Sequence, residues 1–430
     1  MGKFVVVIVS IALFLAGCSS AGKHPTAQDA EAEKKEPVTL NVLLLNPALP
    51  PELFQTLFAE PMSRTHPHIS FNVLTNQPNL GLNELIAAGE IPDLVYTTPY
   101  ISNIIEMQYP LDLREQIAKH GIDLSRINPV LMEAVKNFAE NGEIYSIPFM
   151  NQSFALWYNK SIFDKFGVGY PRDGMTWDEA IDLAKKVTRL DNGVQYRGLV
   201  VTQGGIGTFA SSLSIELVDP KTETAIISDA WAKVFRKAMD IYEIPGNRPA
   251  AYNPSHRNLF LKDRTLAMAP FWTGNMLGFL ASPEGEGMDW DVVQAPYFEE
   301  APNKYYQADY HQFLVSRSTK HLDEAMEVLK FAISDEVQTK SARLGKETVL
   351  NNPAVVQQFA ADLEVAKGKN IAGIFKSSPS RLIRQSKYND AVMNALNQAF
   401  QSVFRGEADI NSALRKAQEE ANKQIEALKQ

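Results

Sequence analysis

Apolar runs and helical periods alternate along the chain from residue 38. Segment 38–45 is almost continuously apolar, which is typical of a strand buried on both faces of a parallel sheet, and segment 69–74 is predicted to be a second strand. Between them, segment 52–58 repeats apolar residues on one helical face behind two prolines. Segment 91–96 is predicted to be a third strand, and a short helical pattern precedes it. The order strand, helix, strand, helix, strand predicts an α/β unit with a covered parallel sheet.

The stretch 142–160 predicts a crossover between two units. It begins with an Asn-Gly turn signal, and two extended segments with alternating apolar residues follow over 144–149 and 154–158. Pro148 has no N–H to donate to a sheet, so the chain is expected to leave its first strand there. Side chains of residues 149–154 are therefore expected to face a cleft, because ligand sites concentrate where two domains meet.

Helical patterns continue through the second half of the chain. Residues 176–179 spell Thr-Trp-Asp-Glu, a capping box that starts a helix. The Gly-rich segment 203–207 lacks the Lys-Ser/Thr of a phosphate-binding loop. We interpret it as a loop before a helix, with Gln203 as a candidate cleft residue. Two amphipathic helices are predicted near 388–404 and 411–428.

Length, charge and motif content narrow the function. The 430 residues exceed the ~250–300 at which a single core stops growing, so two domains are expected. A net charge of −8 argues against nucleic acid as a partner, because nucleic-acid binders favour basic surfaces. No Gly-x-Ser-x-Gly, His-Glu-x-x-His, Cys-x-x-Cys or P-loop pattern occurs, and no carboxylate pair marks acid–base chemistry. We therefore predict no enzymatic activity, no cofactor and no metal site.

The N-terminus has the pattern of a signal peptide. Lys3 precedes an apolar run over 4–16, which is shorter than the ~20 residues that span a bilayer. The run ends in Leu-Ala-Gly-Cys, which resembles the bacterial lipobox, in which the cysteine, here Cys18, is lipidated. We predict a signal peptide over 1–17, a lipid anchor (palmitate among its acyl groups) on Cys18 and a flexible polar tether over 18–37. The alternative is an ordinary signal peptide or membrane anchor that contains a cysteine.

Several short motifs together resemble the family 1 extracellular solute-binding proteins, the binding subunits of bacterial ABC importers. They are Tyr-Ser-Ile-Pro at 145–148, Trp-Tyr-Asn-Lys-Ser-Ile-Phe-Asp-Lys-Phe-Gly at 157–167, Thr-Trp-Asp-Glu at 176–179 and Phe-Leu-Lys-Asp-Arg-Thr-Leu-Ala-Met at 260–268. The resemblance implies a type II periplasmic-binding-protein-like fold, in which a hinge joins two α/β lobes around a ligand cleft. Lobe 1 is expected to comprise 38–149 plus 309–350, and lobe 2 to comprise 150–308 plus 351–430.

The resemblance also implies which residues line the cleft. The strand at 91–96 ends at the cleft in the family, which brings Thr98 and Tyr100 there, although Tyr100 could instead pack over the next helix. A tryptophan after a later strand serves as a stacking platform, which points to Trp272. Residues before another crossover strand face the ligand, which points to Asp309 and Tyr310.

Residue chemistry supports a sugar as the ligand. Aromatic faces cover the apolar face of a sugar ring, and polar side chains satisfy hydroxyl groups that have lost water. The residues expected to cover the sugar face or to hydrogen-bond its hydroxyl groups are Phe149, Asn151, Gln152, Trp272, Asp309 and Tyr310. The adjacent Tyr305 and Tyr306 are similar to the tyrosine pair of ferric-binding relatives, but a third ligand is missing, and we interpret them as linker packing.

The leading hypothesis is a monomeric, lipid-anchored binding protein on the extracytoplasmic face of the cell membrane. It would capture a small solute, with a carbohydrate or oligosaccharide expected, and deliver it to the permease subunits of an ABC importer. One alternative is a surface enzyme that acts on glycans, which would need two carboxylates ~5–10 Å apart in a cleft. Another is a sensor that presents its ligand to a membrane receptor.

Overall fold

The computed structural model describes residues 35–429 apart from 79, 140, 202–203 and 253–254. The predicted signal peptide, Cys18 and Gln203 lie outside the described residues. The strands are β1 Val38–Leu44, β2 Ile69–Thr75, β3 Leu94–Thr97, β4 Ile147–Asn151, β5 Phe154–Asn159, β6 Arg189–Asp191, β7 Val194–Leu199, β8 Leu266–Trp272, β9 Trp290–Gln294, β10 Lys304–Gln307, β11 Tyr310–Val315, β12 Glu347–Thr348 and β13 Ser378–Ser380.

The α-helices surround these strands. They are α1 Pro51–Phe54, α2 Glu60–Thr65, α3 Leu82–Ala88, α4 Ser102–Glu106, α5 Arg114–Lys119, α6 Pro129–Lys136, α7 Lys160–Phe166, α8 Trp177–Val187, α9 Ile206–Ala210, α10 Asp229–Tyr242, α11 Thr273–Leu280, α12 Leu322–Ala332, α13 Asp335–Arg343, α14 Pro353–Val356, α15 Ile371–Ile374, α16 Asn389–Phe404 and α17 Ile410–Lys429. A π-helical turn over Gln55–Ala59 joins α1 to α2. Among the described helices, none combines the length and the apolar character needed to cross a membrane.

The first lobe is built on a six-stranded sheet with the order β12-β4-β11-β3-β1-β2. Strand β1 runs parallel to β2 and β3, whereas β11 runs antiparallel to β3 and β4. The continuous apolar run in β1 is explained by its position between two strands, since Leu40, Val42 and Leu43 are fully buried. The predicted α/β unit with parallel strands is confirmed.

The second lobe is built on a five-stranded sheet with the order β6-β7-β8-β5-β9. Strand β5 lies antiparallel between β8 and β9, so its alternating side chains pack on both faces. On one face, Trp157 packs against Trp290 with ring centroids 5.4 Å apart. Helices α16 and α17 contribute their apolar stripes to the other core of this lobe. The two lobes of the predicted fold class are therefore confirmed.

Two crossovers connect the sheets side by side. Only Gln152 and Ser153 separate β4 in the first sheet from β5 in the second. The other crossover passes through Asp309, between β10 and β11. The backbone N–H of Gln152 donates to the carbonyl oxygen of Asp309 at 2.9 Å, which binds one crossover to the other. Side chains on these residues therefore lie where the lobes meet.

Candidate ligand-binding cleft

Three aromatic rings from three strands meet at this junction. Trp272, at the end of β8, packs edge-on to Phe154, at the start of β5, with centroids 5.4 Å apart. Tyr306 from β10 lies 6.0 Å from Trp272 and stacks on Phe154 at 6.2 Å. Trp272 is only partly buried, so part of the indole faces outward from the cluster. Large rings held this way offer a preformed apolar surface to a ligand.

Tyr100 joins this cluster from the first lobe. It lies beyond the carboxyl end of β3, and its side chain is 46% exposed. Its hydroxyl accepts a hydrogen bond from Nε2 of Gln307 at 3.0 Å and is hydrogen-bonded to the Tyr306 hydroxyl. These contacts hold Tyr100 at the crossover rather than over the helix that follows it in sequence.

Asp309 is the partly buried carboxylate of the junction. Its pKa is raised to about 7, mainly by burial. A hydrogen bond from the Trp272 indole lowers the pKa, and the charge of Glu347 raises it. Among the described residues, no lysine, arginine or histidine forms an ion pair with Asp309 or Glu347. A carboxylate in this environment accepts hydrogen bonds strongly and lacks a partner of opposite charge.

Glu347 ties the first lobe to the second. Its side chain, 4% exposed, accepts from Nδ2 of Asn151 at 2.9 Å and from the backbone N–H of Ser153 at 3.1 Å. The hydroxyls of Ser153 and Thr273 also donate to it. Burial raises the pKa of Glu347, and these four hydrogen bonds oppose the shift. Because β12 belongs to the first sheet and α11 begins at Thr273, this carboxylate bridges both lobes.

Asn151 and Gln152 sit beside this carboxylate. The Oδ1 atom of Asn151 is buried and has no hydrogen-bond partner within the described protein. Gln152 is 7% exposed, and its Oε1 would lie 3.3 Å from a Cβ placed on Gly274. A side chain at position 274 would therefore require Gln152 to shift by a few tenths of an ångström.

Two tyrosine hydroxyls near Asp309 are buried without a hydrogen-bond partner. They belong to Tyr305, 7% exposed, and Tyr310, 0% exposed. Burial is the main reason that the pKa of each is raised. The charge of Glu347 and, more weakly, that of Asp309 add to the shift of Tyr305, while Asn151 opposes it, and the charge of Asp309 adds to the shift of Tyr310. Buried polar groups of native proteins nearly always have partners, so unpaired ones indicate a place where a ligand group or water is held.

The structure corrects the expected orientation of Phe149. Its ring is 1% exposed and packs inside the first lobe against Phe58 at 5.0 Å and Phe313 at 5.7 Å. The physical reason is the two-residue period of a strand, which puts Phe149 on the same core-facing side as Ile147. Asn151, two residues further along, lies beyond the packed part of the core.

Two other predicted residues, Thr98 and Tyr310, lie only partly at the junction. Thr98 is partly buried, and its carbonyl oxygen accepts a hydrogen bond from Nε2 of Gln312 at 3.0 Å. The ring of Tyr310 belongs to the core of the first lobe while its hydroxyl lies near Asp309. The structure thus brings Tyr100, Trp272 and Asp309 together around one junction.

Some residues of the junction were not predicted. Phe154 is the last residue of the segment predicted to face the cleft, but it was not proposed as a ligand-binding residue. Tyr306 was predicted to pack within a linker. Ser153 lies in the segment 149–154 that was predicted to face the cleft, although it was not singled out. Glu347 and Thr273 carried no local signal.

A separate groove of about 670 Å³ lies on the outer surface of the second lobe. Helices α8 and α10 and the segment 297–300 line it. Two ion pairs lie among its charged side chains, Lys237 with Asp178 and Lys233 with Glu300. The groove lies on one lobe only, so it lacks the convergence of crossovers and unpaired buried groups found at the junction.

Sequence comparison assigns residues 48–339 to the family described as bacterial extracellular solute-binding protein. The maltotriose-binding protein of Pyrococcus abyssi is 23% identical over 390 residues, which cover 87% of this chain and 80% of that protein. A sugar transporter structure from Rhizobium etli in an open conformation has a TM-score of 0.73 at 19% identity and covers 89% of this chain and 99% of its own.

A substrate-binding protein of an ABC transporter from Listeria monocytogenes, in complex with cycloalternan, has a TM-score of 0.70 at 18% identity. It covers 91% of this chain and 99% of its own. At these identities the solved structures establish the two-lobed fold. The family match spans more than half of the chain, and this protein therefore belongs to the bacterial extracellular solute-binding protein family.

Proposed function

We propose that this protein binds a carbohydrate in the cleft between its lobes and delivers it to the permease of an ABC importer. The observation that carries the proposal is the cluster of Phe154, Trp272 and Tyr306 beside Asp309 at the crossovers. Apolar ring faces next to a carboxylate match the two surfaces of a sugar, its C–H face and its hydroxyl edge. The maltotriose and cycloalternan of the two relatives agree with an oligosaccharide.

Lobe closure follows from contacts with both lobes. Tyr100 comes from the first lobe, and Trp272 comes from the second. A ligand that touches both gains contacts in the closed arrangement that the open one lacks, so it shifts the population toward closure. We propose the lobe boundaries given above, 38–149 plus 309–350 and 150–308 plus 351–430. The strand membership of the two sheets supports them except at the first crossover, where β4 of the first sheet extends to Asn151.

Family membership implies an extracytoplasmic location, and we propose that a lipid anchor on Cys18 holds the protein at the membrane. The support is the sequence alone, since a lipobox-like Leu-Ala-Gly-Cys follows the apolar run of the signal peptide. Mass spectrometry of the N-terminal peptide tests it. A mature chain that starts at an acylated Cys18 is expected, and cleavage at another site without acylation would refute the anchor.

The binding proposal is tested by titrating the protein with maltotriose, mannotriose and cycloalternan while following tryptophan fluorescence and heat. At least one sugar should saturate, and Trp272→Ala should weaken it by at least ~10-fold, about 1.4 kcal/mol, because the mutant loses a stacking face. Trp231→Phe is the matched control, since Trp231 is buried in the core and its indole nitrogen has no partner. Equal affinity in wild type and Trp272→Ala would remove Trp272 from the site.

The fold leaves two other roles to be separated by experiment. Turnover of any bound glycan would identify an enzyme, but the oxygens of Glu347 already accept four protein hydrogen bonds. That occupancy disfavours the acid–base pair that glycan hydrolysis needs. Uptake of labelled sugar that is lost on deletion of this protein supports transport, whereas a lost transcriptional response with unchanged uptake identifies a sensor.

A further inference from the structure

The junction holds two carboxylates, Asp309 and Glu347, that form no ion pair within the described part of the chain. They lie close enough for the charge of one to raise the pKa of the other. Lys346, next to Glu347 in sequence, is partly buried, and its charge acts on His311. The nearby imidazole of His311 is buried, which lowers its pKa to about 3 and leaves it neutral, with its Nδ1 atom 2.6 Å from the Tyr96 hydroxyl.

The two carboxylates differ in how many further hydrogen bonds they can accept. Glu347 accepts four hydrogen bonds from the protein, whereas Asp309 accepts one from the Trp272 indole and remains only partly enclosed. Around Asp309, the hydroxyls of Tyr305 and Tyr310 are buried and unpaired. Asp309 is thus the group with free acceptor capacity, and buried hydroxyls that can donate or accept surround it.

We propose that Asp309 makes the cleft selective for sugars that present a hydroxyl or a protonated amine, and excludes sugars that carry a carboxylate. This inference rests on the proposed carbohydrate-binding function. A hydroxyl or ammonium group donates to the free oxygen of Asp309 and removes the cost of a desolvated, unpaired charge. A ligand carboxylate would instead face two like charges in a site of low effective dielectric constant, where repulsion at ~5 Å is worth several kcal/mol.

Aromatic rings strengthen the preference for a cation. Phe154, Trp272 and Tyr306 present ring faces and edges within one cluster beside the carboxylate. A cation over a ring face is attracted by the ring quadrupole, and desolvation increases this attraction. An ammonium group therefore gains from the carboxylate and from the rings, whereas a hydroxyl gains mainly from the carboxylate.

The test compares three trisaccharides that differ only at C6. They are β-1,4-mannotriose, β-1,4-trimannuronate and the 6-amino-6-deoxy counterpart of mannotriose, each measured by calorimetry at pH 8, and the same series is repeated with α-1,4-linked glucose units. The uronate should bind at least ~30-fold more weakly than the neutral sugar, and the amine at least as tightly as the neutral sugar. At pH 8, Asp309 is mostly ionised, because its pKa is about 7.

Variants assign the selectivity to Asp309. Asp309→Asn should reduce the uronate penalty to less than ~5-fold, because the amide keeps the shape and removes the charge. Glu115→Gln, an exposed carboxylate on α5, changes the net charge equally and should leave the full penalty.

Each outcome decides between the two proposals. Uronate binding within threefold of the neutral sugar in the wild type would overturn the inference while leaving carbohydrate binding intact, and so would an unchanged penalty in Asp309→Asn. Failure of every sugar in both series to bind would refute the carbohydrate function and the inference with it. The wild-type comparison does not depend on whether Asp309→Asn folds.

Discussion

Replacing Asp309 by asparagine should make the folded protein less sensitive to pH. The wild-type carboxyl has a pKa of about 7 when folded and 3.8 as its ordinary value. Between these values the unfolded chain has released the proton, while the folded chain still holds it. The native state therefore binds more protons, and the free energy of unfolding falls as pH rises from about 4 to about 7. Above pH 7 both states are ionised, and this contribution stays constant.

The size of the effect follows from the shift. A displacement of about three pKa units corresponds to about 4 kcal/mol at 1.36 kcal/mol per unit. Asp309 is only partly buried, so solvent screens part of this energy, and we expect about 2 kcal/mol. The asparagine side chain can still accept a hydrogen bond from the Trp272 indole. Asp309→Asn should therefore match the wild type near pH 4 and exceed its stability by about 2 kcal/mol above pH 7.

Urea denaturation followed by circular dichroism measures this difference at half-unit steps from pH 4 to pH 8. Subtracting wild type from variant cancels the carboxylates that titrate in both proteins. Glu115→Gln is the control and should give a difference near zero throughout, because Glu115 is exposed on α5. A difference between Asp309→Asn and wild type that does not change with pH would refute the reasoning.

Three further substitutions test the packing of the two lobes and of their junction. Glu347→Ala should lower the free energy of unfolding by ~3–5 kcal/mol, because it leaves the Ser153 N–H and other buried donors unpaired, and a loss under ~1 kcal/mol in urea denaturation would contradict this. Phe149→Ala should cost a similar ~3–5 kcal/mol by opening a core cavity, while calorimetry finds sugar affinity changed less than threefold, in contrast to Trp272→Ala. Gly198→Ala should lower the melting temperature by several degrees, because its Cβ would lie 2.4 Å from the backbone oxygen of Ala184, and an unchanged melting temperature would count against that contact.

Local patterns of apolar and polar residues predicted most of the fold. The apolar run of β1 arises because this strand is covered on both faces, and β3 is buried throughout, whereas β2 is an edge strand whose Ser70 and Asn72 are exposed. An apolar run such as that of β1 is visible without knowledge of its partners. The crossover itself was visible in the sequence, but the expectation that the chain leaves its first strand at Pro148 is wrong. Strand β4 continues through Pro148 to Asn151, which pairs with both β11 and β12. The family resemblance added the second lobe and the position of Trp272.

The candidate site was less predictable, because long-range pairing creates it. Phe149 and Asn151 are two residues apart on one strand, so strand alternation does not distinguish them. What separates them is where the core ends along β4, since Phe149 packs against Phe58 whereas Asn151 lies past the core and donates to Glu347. Glu347 lies on a two-residue strand, too short for any hydrophobic period. Its donors come from positions 74 and 194 to 196 residues away in sequence. No local motif could have joined them.

Under the proposed function, the position of Asp309 would link recognition of a ligand to movement of the lobes. Its carbonyl oxygen accepts a hydrogen bond from the N–H of Gln152 at 2.9 Å, so the two crossovers are joined at this residue. Lobe rotation of the kind proposed must bend both crossovers, because they are the segments that connect the lobes. A ligand group that donates to the Asp309 carboxylate would act at the same point, and a difference in that contact between the open and closed arrangements would shift their populations.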